Sequence, residues 1–528
     1  MIRKLTLAAA MSLAAFAVAA QEPRQGGTLR FTAPYGSSFA SLDVHSTNRI
    51  QDDIWSKALH RTLYNWDSAA NEPVPELIEE VTVADDGVTY TMKLRQDAYF
   101  HHGRQMTADD VIFTFTRIMD GAQAYPPARH VRLIEGAVAV ERGEAEEISG
   151  LRKIDDFTIE MVLVDRLDPG FSFYHGNTSI YPADMAEIPN FDTAPVGLGP
   201  YRFVEYIPGS RLVGERWEQF YKEGKPYTDR IEILIMGEAA ARDVAFRNGE
   251  IDVSVLGPVQ YVAYQNEAAL ADNLLEVAEI FTRNMGMNPN FEPFSDPRVR
   301  QAINHAINSD LIIERLVRNK AFRATSWLPI GSPAYDDDLE PYAFDQDRAR
   351  ELLAEAGYPD GFSFEWTATA NESWGIAIVE AVLPMLAQVG IEVNIVPVEG
   401  AVLSEVVRAG DFQAYIWSNT SGPDPLQTLK CYHSSTPQSA CNYVQYNNPE
   451  FDALLDAAGA TADTDERIDL LKQANRMLYD DAVVWFFNYN KAVMAYQPWV
   501  HGIQPNATEL AIQYYEDIWI DETSPAAN

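Results

Sequence analysis

His101 and His102 stand side by side in a turn-forming stretch, and paired histidines invite a metal. Adjacent side chains on an extended segment point to opposite faces, so these two do not converge on one ion. Asp336, Asp337 and Asp338 form an acidic run that calcium could use, but it lacks the Gly and distal Glu of a calcium loop. A solvated turn is expected there. Cys431 and Cys441 are the only cysteines. Close together in an exported chain, they suit a disulfide. A metal pair is the alternative, and His433 alone would leave it short of ligands. Gly197 and Gly199 could line a phosphate loop, yet no Lys-Ser/Thr follows and there is no GxGxxG. GxSxG, HExxH, P-loop and CxxC patterns are also missing. The residues therefore point to binding rather than catalysis, with no metal and no cofactor.

Charge and length narrow the class. The 528 residues carry a net charge of −37. Such a surface repels nucleic acid and anionic membrane. Residues 1–20 read as a secretory signal: Arg3 and Lys4, then the apolar run Leu5 to Val18, then small residues before Gln21. The run is too short to span a bilayer comfortably. The chain beyond it carries −39, because the first 20 residues hold two basic and no acidic side chains. Its length suits two or three domains, and a periplasmic monomer is expected.

The elements that must position any site are legible from their caps and periods. Gly26 to Phe31 and Tyr90 to Arg95 read as strands. Asp53 to Tyr64 has helical spacing. Thr107 and Asp110 form a capping box ahead of a helix that shows Val111, Phe115 and Ile118 on one face. Asp296 with Pro297, and Asp345, start two further helices. Phe362 to Trp366, Ile391 to Val398, Phe412 to Trp417 and Val483 to Tyr489 read as strands. Ile376 to Val389 and Leu454 to Leu478 read as helices, with Pro384 inside the first.

Three landmarks carry a resemblance. Leu94-Arg95, Phe100-His101-His102-Gly103 and Thr107-Ala108-Asp109-Asp110-Val111 form the first. Val196-Gly197-Leu198-Gly199-Pro200-Tyr201 forms the second, with Leu198 where a Thr is usual. Asp296-Pro297-Arg298-Val299-Arg300-Gln301-Ala302 forms the third. Together they resemble the extracellular solute-binding proteins of ABC importers, of the peptide- and nickel-binding type. The likeness runs in order along nearly the whole chain beyond residue 20.

That resemblance implies an α/β, two-lobed periplasmic-binding-protein fold, type II and cluster C-like, with an extra inserted domain. It implies lobe I from residues 21–66, 190–283 and 491–528, an inserted domain at 67–189, and lobe II at 284–490. It implies capture of a peptide or related polar solute and delivery to ABC permease subunits. An oligosaccharide or amino-acid conjugate is the alternative ligand. A chemosensory or enzymatic derivative of the scaffold is the alternative class.

Ligand contacts are expected where the fold turns its chain into the cleft: Ser38, Phe39, Asn371, Glu372, Trp374, Trp417, Asn419, Thr420, Ser421 and Asp424. Members of the family that bind dipeptides hold the ammonium with an Asp upstream of an Asp-Pro pair. That place falls at Thr420 or Ser421 here. Asp424 belongs to the Asp-Pro turn itself, which suits a structural role. Those members hold the carboxylate with an Arg in the loop matching 367–375, and this chain has no Arg there. Both anchors of a free dipeptide are thus expected to be missing. Trp374 and Trp417 are expected to face the lobe junction as stacking plates, with core packing as the alternative for each.

Overall fold

A computed structural model describes residues 22–32, 39, 41–47, 50–68, 72–369, 375–420, 424–461, 463–504, 506 and 514–527. The expected signal segment lies outside them. Three capped helices begin where the sequence places them. Thr107 and Asp110 close a capping box on helix Ala108–Ile118. The Asp296 side chain accepts from Arg298 N to open Pro297–Ala306, and Asp345 accepts from Arg348 N to open Gln346–Glu355.

Eleven strands form one sheet. Its path runs Ile391–Val398, Phe362–Thr369, Ala414–Thr420, Leu274–Met287, Val484–Tyr496, Val253–Val255, Thr28–Thr32, Arg230–Leu234, Arg211–Arg216, Tyr201–Ile207, and Ala321–Arg323 also pairs with Val484–Tyr496. The two long strands Leu274–Met287 and Val484–Tyr496 are antiparallel neighbours in the middle of the sheet and join its two halves. Their register shifts between Ala278 and Thr282, a bulge-type irregularity midway along.

The sheet serves different cores on either side of that shift. Around Thr28–Thr32, Leu29, Phe31, Trp55, Tyr201 and Ile231 pack together. Around Phe362–Thr369, Trp366, Ile303, Val379 and Trp485 pack together, while Phe486 and Tyr489 of Val484–Tyr496 pack with Leu426 and Leu471 in a further cluster. A separate four-stranded antiparallel sheet, Ile78–Val83, Thr89–Leu94, Thr158–Val162 and Leu151–Asp155, packs under helix Ala108–Ile118 through Met92, Ile159 and Phe115.

Several expectations shift. The helix expected over 53–64 spans Ile50–Leu59. Tyr64 instead opens strand Tyr64–Asp67, which pairs with Glu72–Pro75. The 454–478 helix is two, Pro449–Ala460 and Thr464–Asp480, because Asp463 caps a fresh start. The strand at 483–489 continues to Tyr496. Asp336 is not a solvated turn residue: it is 8% exposed and pairs with Arg476 at 2.8 Å.

The C-terminal segment is tied in by buried charge. Glu516 pairs with Arg61 at 2.6 Å and Lys222 at 2.9 Å, and Lys222 also reaches Glu76. Burial alone would raise the Glu516 carboxyl. The two cations outweigh it and hold the group well below the usual carboxylate range.

Candidate functional site: the crossing of the long strands

Strand direction fixes where loops gather. Phe362–Thr369 and Ala414–Thr420 are parallel, and Thr420 pairs with Phe281 beside the register shift. On the other side, Val253–Val255 runs from Tyr496 towards Met494, and Thr28–Thr32 is parallel to it. Parallel strands from both halves of the sheet thus aim their C-terminal ends at one crossing. Open α/β sheets place ligands outside such ends.

Ser38, Asn371, Glu372, Trp374 and Ser421 lie outside the described residues, so the expected pairing of Trp374 with Trp417 does too. Phe39 is 7% exposed and packs on Trp55 and Tyr206, at ring separations of 6.4 and 5.6 Å. It is a core residue here, not an open ligand plate. Trp417 is half-buried, edge-on to Tyr415 at 6.2 Å and tilted against Tyr443 at 6.3 Å. Asn419 accepts from Asn284 Nδ2 at 2.8 Å. Thr420 contributes its backbone to the pairing with Phe281.

Asp424 has a local task. Its side chain accepts from Leu426 N and caps helix Pro425–Lys430, with Arg467 Nη2 3.5 Å away. Burial raises its carboxyl against the pull of Arg467. Asp168, on the loop after Thr158–Val162, is also raised. Burial leads, the Gly170 N–H opposes it, and Asp424 adds to it. Nearby, Lys430 and Asp165 form an ion pair at 2.8 Å beside a cavity of about 410 Å³. This is a contact between the four-stranded-sheet region and the helix that follows Trp417. Cys431 and Cys441, just beyond that helix, are disulfide-bonded.

Sequence reading missed the residues on the crossing strands themselves. Arg283 lies opposite Ser418 on one side and Asn488 on the other, and Asn488 lies opposite Arg323. Glu279, fully buried, accepts from Asn490 Nδ2. Burial pushes its carboxyl up to about 7, with Lys320, Asn490 and Arg283 only partly offsetting this. Lys320 is pushed down to about 8, chiefly by burial. One signal was available: Arg283, Asn488 and Asn490 interrupt runs otherwise rich in apolar residues. Polar side chains in a buried strand need a partner or a purpose. Among the described residues there is no metal-binding group of three or more His, Cys, Asp or Glu side chains.

A divided sheet whose halves aim their strand ends at one crossing is the plan of a two-lobed binding protein. The chain belongs to the bacterial extracellular solute-binding proteins, family 5, whose middle region matches residues 72–440. It is 29% identical over 450 residues to heme-binding protein A of Haemophilus influenzae, covering 81% of each chain. It is 26% identical over 455 residues to the dipeptide-binding protein of Escherichia coli, covering 81% of this chain and 83% of that one. A periplasmic binding protein, DppA, from Helicobacter pylori in complex with the peptide STSA shares the fold. The TM-score is 0.74 at 23% identity, over 95% of this chain and 99% of that one.

Proposed function

We propose that this chain is the periplasmic capture subunit of an ABC importer, taking up a peptide longer than a free dipeptide and handing it to membrane permease subunits. The observation that carries the reading is the convergence of parallel strand ends from both halves of the sheet on the crossing of Leu274–Met287 and Val484–Tyr496. A solute there touches both halves, and contacts made only in the closed form drive closure. The peptide-bound neighbour and the dipeptide-binding relative support the ligand class.

In this reading lobe I is built from 21–66, 190–283 and 491–528, lobe II is 284–490, and 67–189 is an added domain. The self-contained four-stranded sheet between Ile78 and Val162 supports the last boundary.

Native mass spectrometry of freshly purified protein tests the ligand class. A retained oligopeptide is the expected result, and a retained sugar or heme overturns it. Calorimetry tests the length preference. Free dipeptides lack an ammonium anchor at Thr420 and Ser421, and a buried charge without a partner is expensive. Sub-micromolar binding by several dipeptides would overturn the preference.

A further inference from the structure

At the crossing, the residue row Ser418, Arg283, Asn488, Arg323 runs across four strands. Directly opposed residues of antiparallel strands project to the same face, so these side chains are neighbours. Asn488 is 0% exposed, and neither Oδ1 nor Nδ2 has a hydrogen-bond partner among the described residues. Leaving a buried amide unmet forfeits the hydrogen bonds that water would give it in the unfolded chain. Native proteins rarely keep such a group without water or ligand to satisfy it.

The surroundings are cationic in a strongly acidic chain. Arg323 is fixed by donating to the carbonyls of Phe486, Phe487 and Tyr342, and lies 3.7 Å from Asp310. Lys320 donates to the Lys491 carbonyl at 2.7 Å. Lys491 is paired with Glu276 at 3.0 Å. Glu279 is the buried carboxylate among them. Among the described residues, Arg283, Arg323, Lys320 and Lys491 stand against Asp310, Glu276 and Glu279, and the sequence of loop 367–375 contains no Arg.

We propose that Arg283 and Asn488 form an anion anchor, in which the Arg283 guanidinium and Asn488 Nδ2 donate to a carboxylate of the captured peptide while Asn488 Oδ1 accepts from a ligand N–H. A planar guanidinium beside an amide matches the two oxygens of a carboxylate. The anchor rests on the reading of the chain as a peptide-capturing protein. It places the carboxylate on the strands that cross between the halves, not on the loop after Phe362–Thr369.

A randomised tetrapeptide mixture, prepared once as free acids and once as C-terminal amides, tests the anchor with ligand-stripped full-length protein. Captured peptides are quantified by mass spectrometry. The wild type is expected to prefer acids at least tenfold. Arg283→Gln should bring the ratio near one, and Arg283→Lys should keep part of it. Asn488→Leu should weaken acid capture while leaving the melting temperature unchanged or higher, because it removes an unmet buried amide. A merely structural Arg283 would weaken acids and amides alike. A wild-type ratio near one, or a preference that survives Arg283→Gln, overturns the anchor and leaves the peptide reading standing. Capture of neither form by wild type overturns both.

Discussion

Trp417 is the expected contact residue whose ring is described and still partly open. Its partners are Tyr415 and Tyr443, in a small cluster with Leu403 and Val407. An indole in that position offers a broad apolar face and one N–H donor. Trp417→Ala is expected to weaken capture of a tetrapeptide by at least about 1–2 kcal/mol, read by calorimetry. Unchanged affinity with a sharply lower melting temperature would assign the ring to packing. Cys431 and Cys441 give a second residue-scale test. Intact mass without reductant should be two hydrogens below the dithiol, and two alkylated thiols would contradict the bond. Replacing both by Ser should cost roughly 2–3 kcal/mol, the range for a short loop. The sequence made such single residues legible where their role is local, as with the Asp424 cap. Arg283 and Asn488 were not legible as a pair, because only strand register brings them together.

At the scale of elements, caps read well and interiors less so. Thr107, Asp296 and Asp345 begin their helices because a side-chain oxygen meets free N–H groups within a few residues. Helical spacing runs through Tyr64 but says nothing of the strand Glu72–Pro75 that pairs with it. The same limit hid the contact between helix Pro425–Lys430 and the loop after Thr158–Val162. Lys430 and Asp165 meet there at 2.8 Å with side chains 33% and 48% exposed, so the pair is worth about 0–1 kcal/mol. That is still enough to bias an opening equilibrium several-fold. Lys430→Glu is expected to enlarge the radius of gyration of the ligand-free protein in small-angle scattering. Adding Asp165→Lys should restore it. A radius unaffected by either change would remove the pair from the control of closure.

For the molecule as a whole, acid is expected to act through buried histidines. His45 and His60 are fully buried, and His101 is half-buried against Trp217. Burial, joined by Arg117, lowers His45 to about 4 although Asp43 and the Ser179 carbonyl oppose it. Burial likewise lowers His101 to about 4, and holds His60 well below its ordinary value. In the unfolded chain each ring takes its proton near pH 6.5. Between pH 6.5 and 4 the unfolded state therefore binds more protons than the folded one, and stability falls as pH falls. A drop from 6.5 to about 4 corresponds to roughly 3 kcal/mol for a fully buried ring such as His45. Glu279 acts in the opposite sense. Its folded carboxyl sits at about 7 against an ordinary 4.5, so the fold gains stability as pH falls through that window. His130 and His175 are lowered by burial as well, and these five rings outweigh the raised carboxyls of Glu279, Asp168 and Asp424, so the net slope should be destabilising towards acid. His60 separates the causes, because its two ring nitrogens have no hydrogen-bond partner among the described residues. His60→Leu keeps an apolar side chain between Trp55 and Tyr181 and removes one titrating ring. Melting temperatures from pH 6.5 to 4.5 should fall in the wild type and fall less steeply in His60→Leu. A wild-type midpoint that holds or rises over that range would show that the rings do not control it.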